Sequence, residues 1–276
     1  METQVIEKQK KENWFKKIWN YFTLYEKLWL FLLISAGIVF AILFPGEETR
    51  TWVRVIECVT LIGGITCELL LSKQTKWAFI VSFLFYDLTQ TIVYVVNGYY
   101  VNALYEVVFW IPILFISFFS WEKMQDKENS ELTVVKKINW KLDLVLFFVV
   151  VGISMAIGAL FTVISITAEG ISDYWWIDAL GGALNVLNGL FILLRFREQW
   201  IPWIGVCLCE AVMWCLSGRY VLLILSFGYL TNSIYGFIQW TKYIKTHPQA
   251  AKGETKTEEQ IPEPVAEETK EVASEK

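Results

Sequence analysis

Long apolar runs separated by short polar gaps constrain the fold of this chain more than any other feature. Each run is close to the roughly 20 residues that a helix needs to cross about 30 Å of hydrocarbon. Apolar residues make up 55% of the chain and charged residues only 19%. The pattern predicts an all-α polytopic membrane protein. Its eight predicted spans cover residues 28–44, 52–71, 77–96, 100–121, 143–167, 174–194, 200–216 and 219–240.

The two ends of the chain lie outside the predicted spans. Residues 1–27 are expected to form a cytoplasmic N-terminus, in which WFKKIWNYFTLY at 14–25 mixes aromatic residues with lysines as an interfacial helix does. The first apolar run begins near Leu28 and no small-residue cleavage site follows it, so a cleavable signal peptide is not expected. Residues 246–276 are acidic and lack aromatic residues, which predicts a disordered tail.

The distribution of lysine and arginine between the gaps predicts the orientation. If the N-terminus is inside, the inside segments hold most of these residues, many of them in a loop at 122–141. The outside segments then hold only Arg50, Arg54 and Arg219. Cytoplasmic segments of membrane proteins carry an excess of lysine and arginine. Both termini are therefore expected on the cytoplasmic side of the cell membrane.

A short pattern occurs twice along the chain. GYY at 98–100 precedes a span that ends at Trp121, and GRY at 218–220 precedes a span that ends at Trp240. In each case a tight turn separates the span from the one before it. The pattern predicts two parallel three-helix repeats, which in transporters bind substrate near mid-membrane. The repeats cover 52–121 and 174–240, with an extra first helix at 28–44 and a linker helix at 142–168.

Acidic residues occur inside the predicted spans, and no Lys or Arg is expected at a comparable depth. They are Glu57, Glu68, Asp87, Glu106, Asp178 and Glu210. Ionisable groups in a membrane are costly and therefore mark functional positions. Asp87 and Glu210 lie near the middle of their spans, whereas the others are expected nearer span ends, where water or headgroups reach. The alternative is a protonated carboxyl that donates a hydrogen bond between helices.

Uncharged polar and aromatic residues occur at the same level. Trp203, Cys207 and Glu210 share one helix face through their i, i+4, i+7 spacing. Aromatic walls with a few fixed polar groups suit a ligand that has a flat ring and several hydroxyls. The candidate substrate-binding residues are Trp203, Asn185, Asn188, Glu210, Tyr229, Asn232, Tyr86, Gln90 and Trp200. Alternatively these side chains hold helices together, and Trp200 belongs to an interfacial aromatic belt.

The residues that catalysis or metal binding needs are few. The single histidine is His247, and the sequence has no G-x-x-x-x-G-K-[ST] motif, so an enzyme is not expected. The five cysteines lie inside apolar runs and are expected to be packing residues rather than metal ligands. No cofactor and no nucleic acid are expected. A proton-coupled symporter that uses Glu210 or Asp87 stays open, as does a ligand-binding subunit of an energised uptake complex.

Several segments resemble the PnuC vitamin transporters. LLRFREQWIPWIGV, followed by SGRYVLLILSFGYLTNSIYGFIQW, is similar to the second half of that family, with its Trp-x-x-Trp pair, Gly-x-Tyr turn and terminal Trp. NGYYVNALYEVVFWIPILFISFFSW resembles the corresponding part of the first half, and WIDALGGALNVLNGLFILLRFREQW resembles the span before the Trp pair. The resemblance covers roughly residues 24–243. Cys207 departs from it by replacing a common Asn or Asp, and a usual Gln is replaced near Asn188.

The resemblance implies a three-plus-one-plus-three helix fold, like that of the SWEET sugar transporters, with an extra first helix. It implies facilitated diffusion of nicotinamide riboside or, in other branches, of thiamine, riboflavin or deoxynucleosides. Phosphorylation by a cytoplasmic kinase would then trap the substrate. The resemblance also implies a homotrimer in the lipid bilayer. The two departures leave the substrate open within this group.

Overall fold

The computed structural model describes residues 20–44, 51–126, 132–138, 140–164 and 174–248. Eight helices are formed by these residues: α1 Leu24–Leu43, α2 Thr51–Ser72, α3 Trp77–Val96, α4 100–123, α5 Trp140–Ile164, α6 Trp175–Leu193, α7 Trp200–Leu216 and α8 Tyr220–Thr246. A 3₁₀ turn over Arg197–Gln199 leads into α7. None of the described residues forms a β-strand.

The helices confirm the prediction of an all-α polytopic protein. Seven of them, all except α5, are long and apolar enough within the described residues to cross a membrane. The described apolar stretch of α5, Phe147–Ala156, is shorter than a full crossing, so the eighth span stays a prediction. The predicted interfacial helix lies mostly outside the described residues, and the acidic tail lies almost entirely outside them.

Local sequence explains how α1 begins and how two turns are made. The Thr23 hydroxyl accepts from the Glu26 N–H at 3.3 Å, and the Glu26 carboxylate accepts from the Thr23 N–H at 2.7 Å. This reciprocal capping box satisfies two backbone donors at the helix start. Gly98 and Gly218, before α4 and α8, have φ of 73° and 65°. Glycine adopts this left-handed conformation at little steric cost, which permits the two tight turns.

Six helices form a ring around the buried core. Neighbours in the ring pack in the order α2, α3, α4, α6, α7 and α8, and α8 closes the ring against α2. The first helix, α1, lies outside the ring against α8 and α2. Helix α5 lies outside it, mainly against α6. Polar residues on the inner faces of the six helices therefore meet each other instead of lipid.

Three buried tryptophans mark one end of the bundle, which we call the tryptophan end. The ring of Trp240 lies 5.9 Å from that of Trp121 and 5.5 Å from that of Trp200, measured between centroids. The indole N–H of Trp121 donates to the Ile192 carbonyl at 3.0 Å, and that of Trp240 donates to the Leu71 carbonyl at 3.3 Å. Edge-on aromatic packing and paired indole N–H groups stabilise this end.

Residues 132–138 cross the tryptophan end and are called the strap. The Thr133 N–H donates to the Gln74 carbonyl at 3.0 Å, just after α2, and the Lys136 N–H donates to the Arg195 carbonyl at 2.9 Å, just after α6. Gln74 and Arg195 have φ of 59° and 60°, which is uncommon for residues other than glycine. Burial, with a smaller effect of Arg195, lowers the pKa of Lys136. The strap thus joins the α2–α3 connection to the α6–α7 connection.

Candidate functional site

A band of buried polar and aromatic side chains lies inside the ring of helices. Trp203 of α7 packs against Tyr229 of α8 with ring centroids 5.3 Å apart, and Tyr86 of α3 meets Tyr229 edge-on at 5.7 Å. All three rings are buried. The Trp203 indole nitrogen and the Tyr229 hydroxyl have no hydrogen-bond partner among the described residues. Three predicted site residues therefore come together, and two of them keep a polar atom available.

A glycine in α2 makes room for one of these rings. A Cβ built on Gly64 would lie 2.1 Å from the Tyr229 hydroxyl oxygen and 3.0 Å from the ring carbon Cζ. Non-bonded heavy atoms do not approach this closely in a packed interior. The glycine is therefore required for Tyr229 to occupy its observed position.

A second polar contact of the band links α8 to α2. The Asn232 amide nitrogen donates to the Glu68 backbone carbonyl at 2.9 Å and to its carboxylate Oε2 at 3.2 Å. The Glu68 carboxyl also lies next to the Trp203 indole. Asn232, a predicted site residue, is thus a link between helices as well as a polar group of the band.

Glu210 and its neighbours form the other part of the band. Glu210 Oε1 accepts from the Tyr94 hydroxyl at 2.5 Å, whereas Oε2 has no partner among the described residues. Tyr94 stacks on Trp214 with centroids 5.6 Å apart. Gln90, one turn before Tyr94 on α3, is fully buried, and neither of its amide atoms is bonded within the described part. Glu210 lies seven residues from Trp203, or about 10 Å along the helix axis.

Two π-helical turns bring a pair of carboxyls together. The turns are Phe83–Asp87 in α3 and Glu106–Trp110 in α4. The carboxyls of Asp87 and Glu106 face each other and are both buried. Such turns shift side chains off the regular helix face and are frequent at functional sites. Sequence analysis identified both acids but not their contact, because an extra residue in a turn leaves no pattern in an apolar segment.

The two asparagines of α6 have different surroundings. The Asn188 amide nitrogen donates to the Gln199 backbone carbonyl at 2.9 Å and to its side-chain oxygen at 2.7 Å. Asn188 therefore ties α6 to the turn before α7. Asn185 is buried, and its Oδ1 accepts no hydrogen bond from the described residues. Asn185 therefore has a buried side-chain acceptor that no described residue uses.

Trp200 lies at the tryptophan end, one turn from Trp203. Its ring is fully buried and contacts Trp240. A Cβ on Gly236 would lie 2.3 Å from the ring, so the neighbouring helix closely covers it. The interpretation of Trp200 as part of an interfacial belt is wrong, because none of its surface reaches the outside of the bundle. Its proposed contact with substrate stays a prediction.

Two expectations about the intramembrane acids are corrected by the structure. Glu57 does have a basic neighbour, since its Oε1 lies 3.5 Å from Arg219 Nη1. The prediction that water or headgroups reach four of the acids near span ends is wrong, because all four are buried: Glu57, Glu68, Glu106 and Asp178. Distance along a span does not reveal this burial, because it depends on the helices that pack alongside.

Two of the five cysteines, Cys67 and Cys207, are buried packing residues, whereas Cys58 and Cys209 are partly buried and Cys215 is exposed. Cys58, Cys67, Cys207, Cys209 and Cys215 are all free thiols. The Cys67 thiol donates to the Gly64 carbonyl at 3.1 Å, and Cys207 is buried on the face of α7 that carries Trp203. The described residues contain no group of three His, Cys, Asp or Glu side chains that could hold a metal ion.

Comparison with known proteins gives a family and two relatives. A family model described as nicotinamide mononucleotide transporter matches residues 54–242. The nicotinamide riboside transporter PnuC of Haemophilus influenzae is 29% identical over 224 residues, which cover 80% of this chain and 91% of the relative. The nicotinamide riboside transporter PnuC of Neisseria mucosa is 26% identical over 256 residues, which cover 85% of this chain and 87% of the relative.

A solved structure shares the fold. The crystal structure of the vitamin B3 transporter PnuC superposes with a TM-score of 0.64 at 22% identity, covering 82% of this chain and 94% of that chain. The family and both relatives are transporters, which confirms that this chain is not an enzyme. The family model spans well over half of the sequence. The chain is a multi-pass membrane protein that belongs to the PnuC-type, or nicotinamide mononucleotide transporter, family.

Proposed function

We propose that this protein imports nicotinamide riboside across the cell membrane by facilitated diffusion, and that phosphorylation by a cytoplasmic kinase traps the substrate. The two relatives are named for this substrate. The observation that carries the proposal is the band, in which Trp203, Tyr229, Gln90 and Glu210 keep hydrogen-bonding atoms unused among the described residues. Buried polar groups are normally hydrogen-bonded. Unused ones inside a transporter therefore mark where a polar substrate binds.

The band offers the two kinds of contact that a nucleoside-like substrate needs. A flat ring can pack on Trp203 and Tyr229, whose aromatic faces supply dispersion contacts. Sugar hydroxyls can donate to Glu210 Oε2 and accept from the Gln90 amide. The full set of proposed binding residues is Trp203, Asn185, Asn188, Glu210, Tyr229, Asn232, Tyr86, Gln90 and Trp200.

Two departures from the family pattern, Cys207 and the replaced Gln near Asn188, leave the choice of substrate within the family open. Cys207 is buried where the family commonly carries Asn or Asp, and a thiol is a weak hydrogen-bonding group. The polar contacts that an amide would make there must come from other residues or be absent. Thiamine, riboflavin and deoxynucleosides are therefore the alternative substrates.

Passive transport is the simpler mechanism for a chain without a nucleotide-binding motif. The alternative is proton-coupled symport, with Glu210 or Asp87 as the proton carrier. The buried pair of Asp87 and Glu106 favours this alternative, because two facing carboxyls share a proton readily. Symport predicts accumulation of substrate above the outside concentration when the outside pH is lower.

For the architecture we propose two parallel three-helix repeats, α2–α4 and α6–α8, joined by α5 as the linker and eighth span. Matching contacts support this arrangement. Trp121 at the end of α4 donates to the end of α6, and Trp240 near the end of α8 donates to the end of α2. Gln74 and Arg195, which follow α2 and α6, share the same uncommon backbone conformation and both accept from the strap.

For the orientation we propose that the tryptophan end faces the cytoplasm, with both termini on that side. Most Lys and Arg residues in the described connections lie at this end, including Lys73, Lys76, Arg195 and Arg197, as the positive-inside rule requires. A homotrimer in the bilayer is proposed from the family resemblance.

Isothermal titration calorimetry on detergent-purified protein tests the substrate. The ligands are nicotinamide riboside, thiamine, riboflavin and a deoxynucleoside. We expect binding of nicotinamide riboside alone, weakened in the Asn185→Ala variant, which loses an open acceptor. If another ligand in the panel binds instead, the proposed substrate is wrong and the proposed transport mechanism stands. Failure of folded protein to bind any of the four would contradict the proposed function.

A further inference from the structure

Glu210 is a buried carboxyl that has no basic partner among the described residues. Its side chain is 2% exposed, Oε1 is held by Tyr94, and Oε2 is bonded to no described residue. The ionisable groups close enough to influence it are themselves acids, phenols or thiols. They are Glu68, Tyr86, Tyr94, Glu106, Cys207, Cys209 and Tyr229. None of these groups can carry a positive charge.

The contrast with Glu57 shows what is missing at Glu210. Both are buried glutamates inside spans, but Glu57 has Arg219 at 3.5 Å. A buried carboxylate without a cation is costly, because the interior replaces its hydration shell poorly. A positively charged ligand at Glu210 would supply the missing partner.

A second, independent observation places a ligand beside Glu210. Gln90 is fully buried next to the Tyr94 hydroxyl that holds Glu210. The Tyr94 hydroxyl lies beside the amide, but neither the amide oxygen nor the nitrogen makes a hydrogen bond of good geometry with a described residue. A buried primary amide with both ends unused is uncommon in a finished core. It indicates that a polar group of a ligand completes the hydrogen bonds of Gln90 when the site is filled.

The aromatic part of the band suits the same kind of ligand. Three aromatic rings lie close together here. The Tyr229 ring centroid is 5.3 Å from that of Trp203 and 5.7 Å from that of Tyr86. Aromatic faces attract cations through their quadrupole, most strongly when both partners are shielded from water. The aromatic rings and the Glu210 carboxyl therefore both favour a positively charged ligand.

We propose that the site binds its substrate as a monocation, a flat ring with delocalised positive charge on a polar arm, and that Glu210 is the counter-ion that selects it. The inference rests on the proposed function and narrows it. Nicotinamide riboside and thiamine carry such a ring, whereas riboflavin and deoxynucleosides are neutral. The reduced, dihydro form of nicotinamide riboside is neutral too and has nearly the same shape.

The test is calorimetric titration of nicotinamide riboside and of its dihydro form into purified wild-type protein at one pH. We expect the cation to bind at least about tenfold more tightly, which is the scale of the Coulomb attraction between two unit charges about 10 Å apart inside a protein. In the Glu210→Gln variant the affinities for nicotinamide riboside and for its dihydro form should differ by less than about threefold. The matched control is Glu57→Gln, whose carboxyl already has Arg219 and which should keep the wild-type ratio.

The outcomes separate this inference from the proposed substrate. Equal binding of the two forms by wild-type protein overturns the inference and leaves nicotinamide riboside as substrate. Binding of thiamine without nicotinamide riboside supports the inference and overturns the proposed substrate. Binding of only riboflavin or a deoxynucleoside overturns both. The wild-type ratio needs no variant, so a Glu210→Gln protein that fails to fold does not remove the test.

Discussion

Trp203 contributes an indole ring to the band, and this ring packs on Tyr229. Replacing Trp203 with alanine removes this surface, so we expect the affinity for nicotinamide riboside to fall about tenfold or more. Trp203→Phe should lie between alanine and wild type. Calorimetry measures both. Trp176→Ala is the control, because that side chain is half-exposed on the outside of the bundle. An affinity unchanged in Trp203→Ala would remove this residue from the site.

Gly64 lies where the neighbouring helix leaves no room for a larger side chain. In Gly64→Ala the new methyl group would meet the Tyr229 hydroxyl at 2.1 Å. We expect a loss of stability of about 1–3 kcal/mol, typical of overpacking, seen as a lower Tm. Adding Tyr229→Phe should recover part of the loss, since it removes the nearest atom. Gly152→Ala is the control because nothing lies within 4 Å of its Cβ. Equal Tm values for the two alanine variants would contradict the packing argument.

Helical spacing in the sequence predicts part of the site at this scale. The i, i+4, i+7 relation correctly places Trp203, Cys207 and Glu210 on the inner face of α7. It cannot show that the Asn188 amide nitrogen donates to Gln199, or that Arg219 reaches Glu57, because each contact joins a helix to a turn outside that helix. Which polar atoms remain open is a property of the packed bundle.

The strap is the element that connects the two halves of the bundle at the tryptophan end. Besides its contacts with Gln74 and Arg195, the Ile138 N–H donates to the Glu198 carboxylate at 3.0 Å. A transporter must open this end for substrate to leave. The strap is therefore expected to detach, or to move with one half, during the transport cycle.

Hydrogen–deuterium exchange can follow the strap directly. In Glu198→Ala the Ile138 N–H loses its acceptor, and we expect faster exchange across residues 132–138. The control is Glu122→Ala, which breaks a half-exposed ion pair with Lys76 at the same end and should leave the strap protected. Exchange at 132–138 that does not respond to Glu198→Ala would show that the strap is held by other contacts.

The helices themselves are well predicted by the sequence, since long apolar runs and short gaps leave few alternatives. The predicted ends of α2, α3, α6 and α7 lie within two residues of the observed ends. The π-helical turns are not predicted. Such a turn shifts the position of the apolar face along a helix, and a helix that is apolar on every side has no separate apolar face in which the shift would be visible. Each of these turns carries one member of the buried Asp87–Glu106 pair.

At the scale of the whole molecule, six helices enclose the polar band and two lie outside them. The outer position of α1 and α5 explains why α1 is largely exposed along its apolar length, as a lipid-facing helix is. The enclosed band explains why acids, amides and phenols are found in otherwise apolar helices. The tryptophan cluster and strap close one end of the ring. A closed end beside a polar interior is the arrangement expected of a carrier that opens to each side in turn.

Uptake by proteoliposomes tests the central claim, that this chain carries nicotinamide riboside passively. Purified protein is reconstituted with equal pH on both sides, and labelled nicotinamide riboside is added outside. We predict that the label enters until the inside and outside concentrations are equal. Lowering the outside pH should not raise the inside concentration further. Accumulation driven by a proton gradient would contradict passive transport. If the protein binds nicotinamide riboside but its proteoliposomes take up no more label than protein-free vesicles do, the claim of transport is contradicted.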